Sequence, residues 1–218
     1  MVVYYDETRV QPAPRCHPWV VGEMNTEFRY YDFKRNPELI PKVLEDFIPL
    51  AHFDAIQHFY EFLAWVNGPE SQLETNDCAL RPPGPHRDPN SIRKLCCHGR
   101  VDILYRRLDL NVRRDCADWL IGKTMKILKQ DIDIQFTAND GVIAFSQNQS
   151  FFTNLARAKH EEKLGWQCSI HFWAYGDTES ECMGTLKRVF SNLWKATQTI
   201  SKEMEVALKS NVRSSLTN

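Results

Sequence analysis

Seven cysteines and seven histidines are the side chains of this sequence best suited to chemistry. The cysteines stand at 16, 78, 96, 97, 116, 168 and 182, and their densest grouping is "CCHG" at 96–99. A metal site needs three or four ligands converging on one point. No C-x-x-C, H-E-x-x-H or EF-hand loop is present. Neighbours on an extended chain point to opposite faces, and no second cluster completes a site around Cys96 and Cys97. Neither a metal nor a cofactor is expected. A thiol nucleophile requires an adjacent base, and Cys78, Cys96 or Cys97 can be paired on paper with His98 or His171. Scattered thiols inside apolar patterns read more simply as reduced, buried cysteine.

The remaining chemistry-bearing patterns are equally sparse. His58 and Glu61 lie one helical turn apart, but no matching pair elsewhere would bridge two irons, so they read as a solvated helix face. Phosphate-cradling glycine loops and the G-x-S-x-G elbow are absent. Arg106, Arg107, Arg113 and Arg114 form one basic stretch, and Arg81, His86, Arg87, Arg93 and Lys94 form another. Acids interrupt both, and the second lacks the interleaved aromatics of single-strand binders, so nucleic acid is not an expected partner.

The segment "SIHFWAYGDTESECMGTLKRVF" (169–190) carries the clearest local signals. Thr178 and Glu181 have capping-box spacing: the Thr hydroxyl accepts from the Glu181 N–H, and the Glu181 carboxylate reaches back to the N–H of Thr178. Asp177, Glu179 and Glu181 also place negative charge at the positive end of the helix dipole. In the strand before the turn, Cys168, Ile170, Phe172 and Ala174 share the core face, while Ser169, His171, Trp173 and Tyr175 share the other. Those large aromatics with polar tips suit a second packed layer or an exposed binding surface.

The elements that must position these residues follow from periodicity. "TEFRYYDF" (26–33) reads as a strand. A helix starts after Asn36 with Leu39, Ile40, Val43, Leu44 and Phe47 inward, and a second covers about 52–66 with Phe53, Ile56, Phe59, Tyr60, Leu63 and Val66. Residues 67–94, punctuated by Pro69, Pro82, Pro83, Pro85 and Pro89, read as a long loop and a candidate surface. "RVDILYRRLDLN" (100–111) reads as one long strand, and the next helix turns Leu120, Thr124, Ile127 and Leu128 inward. "DIDIQFT" alternates, with Asp131 and Asp133 on its polar face, and a hairpin through Asn139-Asp140-Gly141 leads to another strand. Residues 148–166 are ambiguous between loop and short helix. The longest helix runs from 179 to about 208 on a stripe of Met183, Leu186, Phe190, Leu193, Thr197, Ile200, Met204 and Leu208. An irregular lead-in (about 1–25) and a frayed tail (about 209–218) flank a single α+β domain, expected as a mainly antiparallel sheet packed against helices.

The totals agree with such a domain. A chain of 218 residues can bury most of its apolar surface without disulfides or a structural metal. With 27 basic and 28 acidic side chains the net charge is -1, so no global field draws it to DNA or an anionic membrane. Neither a signal segment nor a membrane span is apparent, and the chain is read as cytoplasmic.

Three segments, "LETNDCALRPPGP" (73–85), "GRVDILYRRLDLN" (99–111) and "HFWAYGDTESECMGTLKRVFSNL" (171–193), carry a family resemblance. They resemble the α+β immunity proteins of bacterial polymorphic-toxin and type VI secretion systems, of the kind paired with restriction-endonuclease-like nuclease toxins. The resemblance implies a small, non-enzymatic, cytoplasmic protein that binds a cognate nuclease toxin and occludes its active site, its substrate groove or its assembly. Complementarity to a basic, metal-containing cleft would then place Asp131, Asp133, Trp173, Tyr175, Asp177 and Glu179 at the contact. A cysteine-dependent enzyme and a nucleic-acid-binding adaptor are the alternatives.

Overall fold

The computed structural model describes residues 2–7, 15–17, 33–34, 36–43, 49–88, 90–130, 140–152 and 163–216, with backbone only at the margins of several segments. In chain order the elements are β1 (Val2–Tyr5), β2 (Arg15–His17), a 3₁₀ turn (Pro37–Leu39) leading into α1 (Ile40–Val43), and α2 (Asp54–Asn67). Then follow β3 (Leu73–Pro85), β4 (Leu95–Tyr105), α3 (Leu108–Asn111), α4 (Arg114–Gln130), β5 (Gly141–Phe152), β6 (Lys163–Gly176) and α5 (Glu179–Leu216). The fold is α+β, with a mixed sheet in the order β1-β5-β6-β4-β3. Its centre is antiparallel, while β1 and β2 run parallel to β5 along one edge.

The inner sheet face and the helices share one apolar core. Cys168, Ile170, Phe172 and Ala174 of β6 are all buried, as their alternation predicts. Met183, Leu186, Phe190, Leu193, Thr197 and Ile200 of α5 are buried too, and Phe59 of α2 stacks on Phe190 with ring centroids 4.5 Å apart. Phe172 meets Phe190 edge-on at 5.1 Å and completes the cluster. Each such ring contributes roughly 1.5–3 kcal/mol on burial. Gly99 pairs with Phe172 across β4 and β6, and a Cβ there would stand 2.4 Å from the ring and 2.7 Å from the carbonyl oxygen of Ala79. Only glycine leaves room for the aromatic side chain to lie over the strand.

Several expectations are corrected. The lead-in expected to be irregular over about 1–25 supplies β1 and β2, both paired with β5. The stretch 67–94 is not one loop, because β3 occupies Leu73–Pro85 and pairs with β4. Among the described strands β3 lies at the sheet edge, where a missing N–H can face outward, and the register shift between Arg81 and Gly84 brackets Pro82 and Pro83, so the prolines are tolerated. The strand expected over 100–111 ends at Tyr105. Asn111 holds the following α3 turn by donating its Nδ2 to the Tyr105 carbonyl and accepting the Tyr105 N–H at Oδ1. The ambiguous stretch 148–166 supplies the end of β5 and the start of β6. Backbone of α5 continues past the apolar stripe to Leu216, where a frayed tail is expected. The strands expected at 26–33 and 131–137 lie outside the described residues, apart from Phe33, which sits in a turn.

Candidate binding groove on the outer sheet face

Register alone assembles the outer face of the sheet into rows. Arg81 of β3 pairs with His98 of β4, which pairs with Trp173 of β6. The row on one side joins Gly84, Cys96 and Tyr175; that on the other joins Ala79, Arg100 and His171; and beyond it Asp77, Asp102 and Ser169 align. The face therefore changes from aromatic and basic at one end to acidic at the other.

The acidic end is closed. Asp102 is fully buried, accepting from Ser169 Oγ at 2.5 Å and from Gln167 Nε2 at 3.0 Å. Asn148 Nδ2 donates to the same Ser169 hydroxyl at 2.5 Å, and Asn76 Nδ2 donates to Gln167 Oε1 at 2.8 Å. Arg100 forms an ion pair with Asp77 and lies 3.7 Å from Asp102. Buried polar groups satisfied in this way fix a register and leave little capacity for a ligand.

The other end is open. Arg81, Pro82, Gly84, Pro85, His86, Arg87, Asp88, Cys96, His98, Trp173 and Tyr175 line a groove of about 550 Å³. Trp173 is half-buried and stacks on His98 with centroids 5.0 Å apart, and His86 leans on Tyr175 at 5.1 Å. Burial pushes the Tyr175 hydroxyl up to about 12, so it stays protonated and able to donate a hydrogen bond.

A carboxylate clamp positions the loop between β3 and β4. Arg93 Nη1 donates to Asp177 Oδ2 and Nη2 to Asp140 Oδ1, both at 2.9 Å, while Asp177 Oδ1 accepts the Lys94 N–H. The Arg93 guanidinium holds the Asp177 carboxyl below its usual range. The capping box forms with one change: Thr178 Oγ1 accepts the Glu181 N–H, but the Glu181 carboxylate accepts the N–H of Asp177 rather than that of Thr178.

Of the six residues expected at the contact, Trp173 and Tyr175 come together in the groove. Asp177 is engaged by Arg93 and orients the loop that carries His86 and Arg87. Glu179 is exposed on the first turn of α5, and Asp131 and Asp133 lie outside the described residues. Arg81, His86 and Arg87 belong to a basic stretch legible in sequence, but their meeting with His98 beside Trp173 was not anticipated; the readable signal was the alternation within "LCCHGRVDILY", which sends His98 and Arg100 to the Trp173 face.

The described thiols are poorly suited to nucleophilic work. Burial pushes Cys96 up to about 11 and Cys182 up to about 12, and raises Cys78, Cys97 and Cys168 as well. Cys97 donates to the Arg81 carbonyl at 2.9 Å and Cys182 to the Ala174 carbonyl at 3.1 Å, as protonated thiols do. Among the described residues no group of three or more His, Cys, Asp or Glu side chains is placed to hold a metal ion. No helix among them is long and apolar enough to cross a membrane. No family model, curated protein or solved structure matches this chain.

Proposed function

We propose that this chain is a binding protein of the immunity type, which neutralises a cognate bacterial toxin, a nuclease effector, by seating part of it in the groove beside Trp173 and Tyr175. The single observation that carries the reading is that half-buried aromatic pair, set in a preformed groove with arginines at its rim. Tryptophan, tyrosine and arginine are the residue types that dominate binding energy in protein interfaces. The raised Cys96 and Cys97 thiols beside the groove add support, since a cysteine nucleophile there needs the opposite. The resemblance of residues 73–85, 99–111 and 171–193 to immunity proteins supplies the toxin as the partner class.

Co-expression with the toxin encoded beside it tests the reading. Growth is expected to be rescued by the natural chain and to fail with Trp173→Ala. The substitution removes an anchor that contributes about 2 kcal/mol or more in such interfaces. A folded, soluble chain that leaves the toxin active would overturn the proposal.

A further inference from the structure

Most described arginine side chains are engaged within the molecule. Arg93, Arg100, Arg107, Arg113 and Arg114 each face a carboxylate within 4.0 Å. Arg106 donates to the carbonyls of Asn67 and Gly68 at the end of α2, and Arg188 donates to Thr185. Among the described residues, two arginines stand apart: Arg81 and Arg87 are exposed, have no ion pair or side-chain hydrogen bond, and both line the groove. None of the acids nearby forms an ion pair with either arginine. Asp88 Oδ1 accepts the Asn90 N–H at 2.9 Å, and Asp140 and Asp177 are held by Arg93.

We infer that the groove receives an acidic, aromatic-bearing segment of a protein partner, whose carboxylates pair with Arg81 and Arg87 while its apolar side chains lie against Trp173 and Tyr175. This deepens the proposed function and rests on it for the partner's identity. It also inverts the polarity expected from sequence, in which the chain supplies the acids. Guanidinium presents a planar fork that matches a carboxylate with paired hydrogen bonds, and it is weakly hydrated, so it can be desolvated in an interface. Phosphate has the same geometry, but nucleic acid is attracted chiefly by an extended positive field, which a chain of net charge -1 does not generate. Two cations beside an aromatic pair match a short acidic segment better. Along the groove, Pro82, Pro83 and Pro85 of β3 offer no N–H for pairing with an added strand, which favours recognition by side chains there.

Fluorescence anisotropy tests the inference on the full chain. The probes are a labelled peptide of alternating Glu and Phe, its Lys and Phe counterpart, and a single-stranded DNA of matching charge. The acidic peptide is expected to bind, the basic one not, and Arg81→Ala with Arg87→Ala is expected to weaken binding at least about tenfold. Arg81→Lys with Arg87→Lys is expected to fall in between, since charge remains but the fork is lost. Both side chains are exposed and unpaired, so the thermal unfolding midpoint should not move. Equal binding of the two peptides, tighter binding of the DNA, or indifference to the double alanine variant would each overturn the inference. The toxin separates the two levels. A complex that forms and ignores the double variant defeats the acidic-segment reading alone, whereas acidic-peptide binding lost in the double variant, without any toxin rescue, supports the groove chemistry and defeats the immunity reading.

Discussion

Arg93 and Asp177, distant in sequence, meet at 2.9 Å, and through that contact the loop after β3 is tied to the corner between β6 and α5. Asp140, at the start of β5, takes the other arm of the same guanidinium at 2.9 Å. One side chain thus joins the β3–β4 loop, which helps line the groove, to the β6–α5 corner and to the residue preceding β5.

Replacing Arg93 by Ala should loosen that frame without unfolding the core. Hydrogen exchange is the measurement, and the His86 N–H, which donates to the Lys94 carbonyl at 2.8 Å, should exchange faster in the variant. The clamp also predicts a pH dependence. Arg93 holds the Asp177 carboxyl below its ordinary value of 3.8, so the contribution is present above that pH and is lost as pH falls through the lower folded value. Exchange at His86 should therefore keep its clamp-dependent protection from neutral pH down to about pH 4 and lose it below.

Asp102→Ala should cost far more. The substitution leaves the Ser169 hydroxyl and the Gln167 amide without their acceptor inside a fully buried network. A loss of roughly 2–4 kcal/mol is expected from the orphaned donors, read as a lower urea midpoint. Asp102→Asn keeps an acceptor oxygen and should lose less.

Gly99→Ala tests how tightly the sheet packs beneath Phe172. The added methyl meets both the ring and the Ala79 carbonyl, and the backbone atom cannot swing away. Destabilisation of about 1–3 kcal/mol is expected from overpacking. Adding Phe172→Leu to it should recover part of the loss, and a purely additive double variant would contradict the assigned contact.

Labelling of the described thiols should be slow at neutral pH, with half-buried Cys96, which lines the groove, ahead of buried Cys97, Cys168 and Cys182. Its rate should climb about tenfold per pH unit toward the elevated value near 11, since only the thiolate reacts. A single described cysteine that labels rapidly at pH 7 would reopen the enzymatic alternative.

Local pattern carried the reading of sequence as far as local physics reaches. Alternation over 168–175 separated the core face from the aromatic face, because successive side chains of a strand must point to opposite sides. Threefold and fourfold spacing over 183–200 marked the buried stripe of α5, and the interval from Thr178 to Glu181 marked its start. Each is an interaction between residues a few positions apart, so the sequence by itself determined it. Long-range pairing decided the rest. Whether "LETNDCALRPPGP" is loop or strand depends on lying at a sheet edge beside β4, where proline is tolerated. That Arg81 shares a row with His98 and Trp173 depends on a register set by the whole sheet. Asp177 read as an acid at the positive end of the helix dipole and a contact candidate, and only the fold brought Arg93 to it; pairings between distant segments follow from the packed core, which no local periodicity encodes.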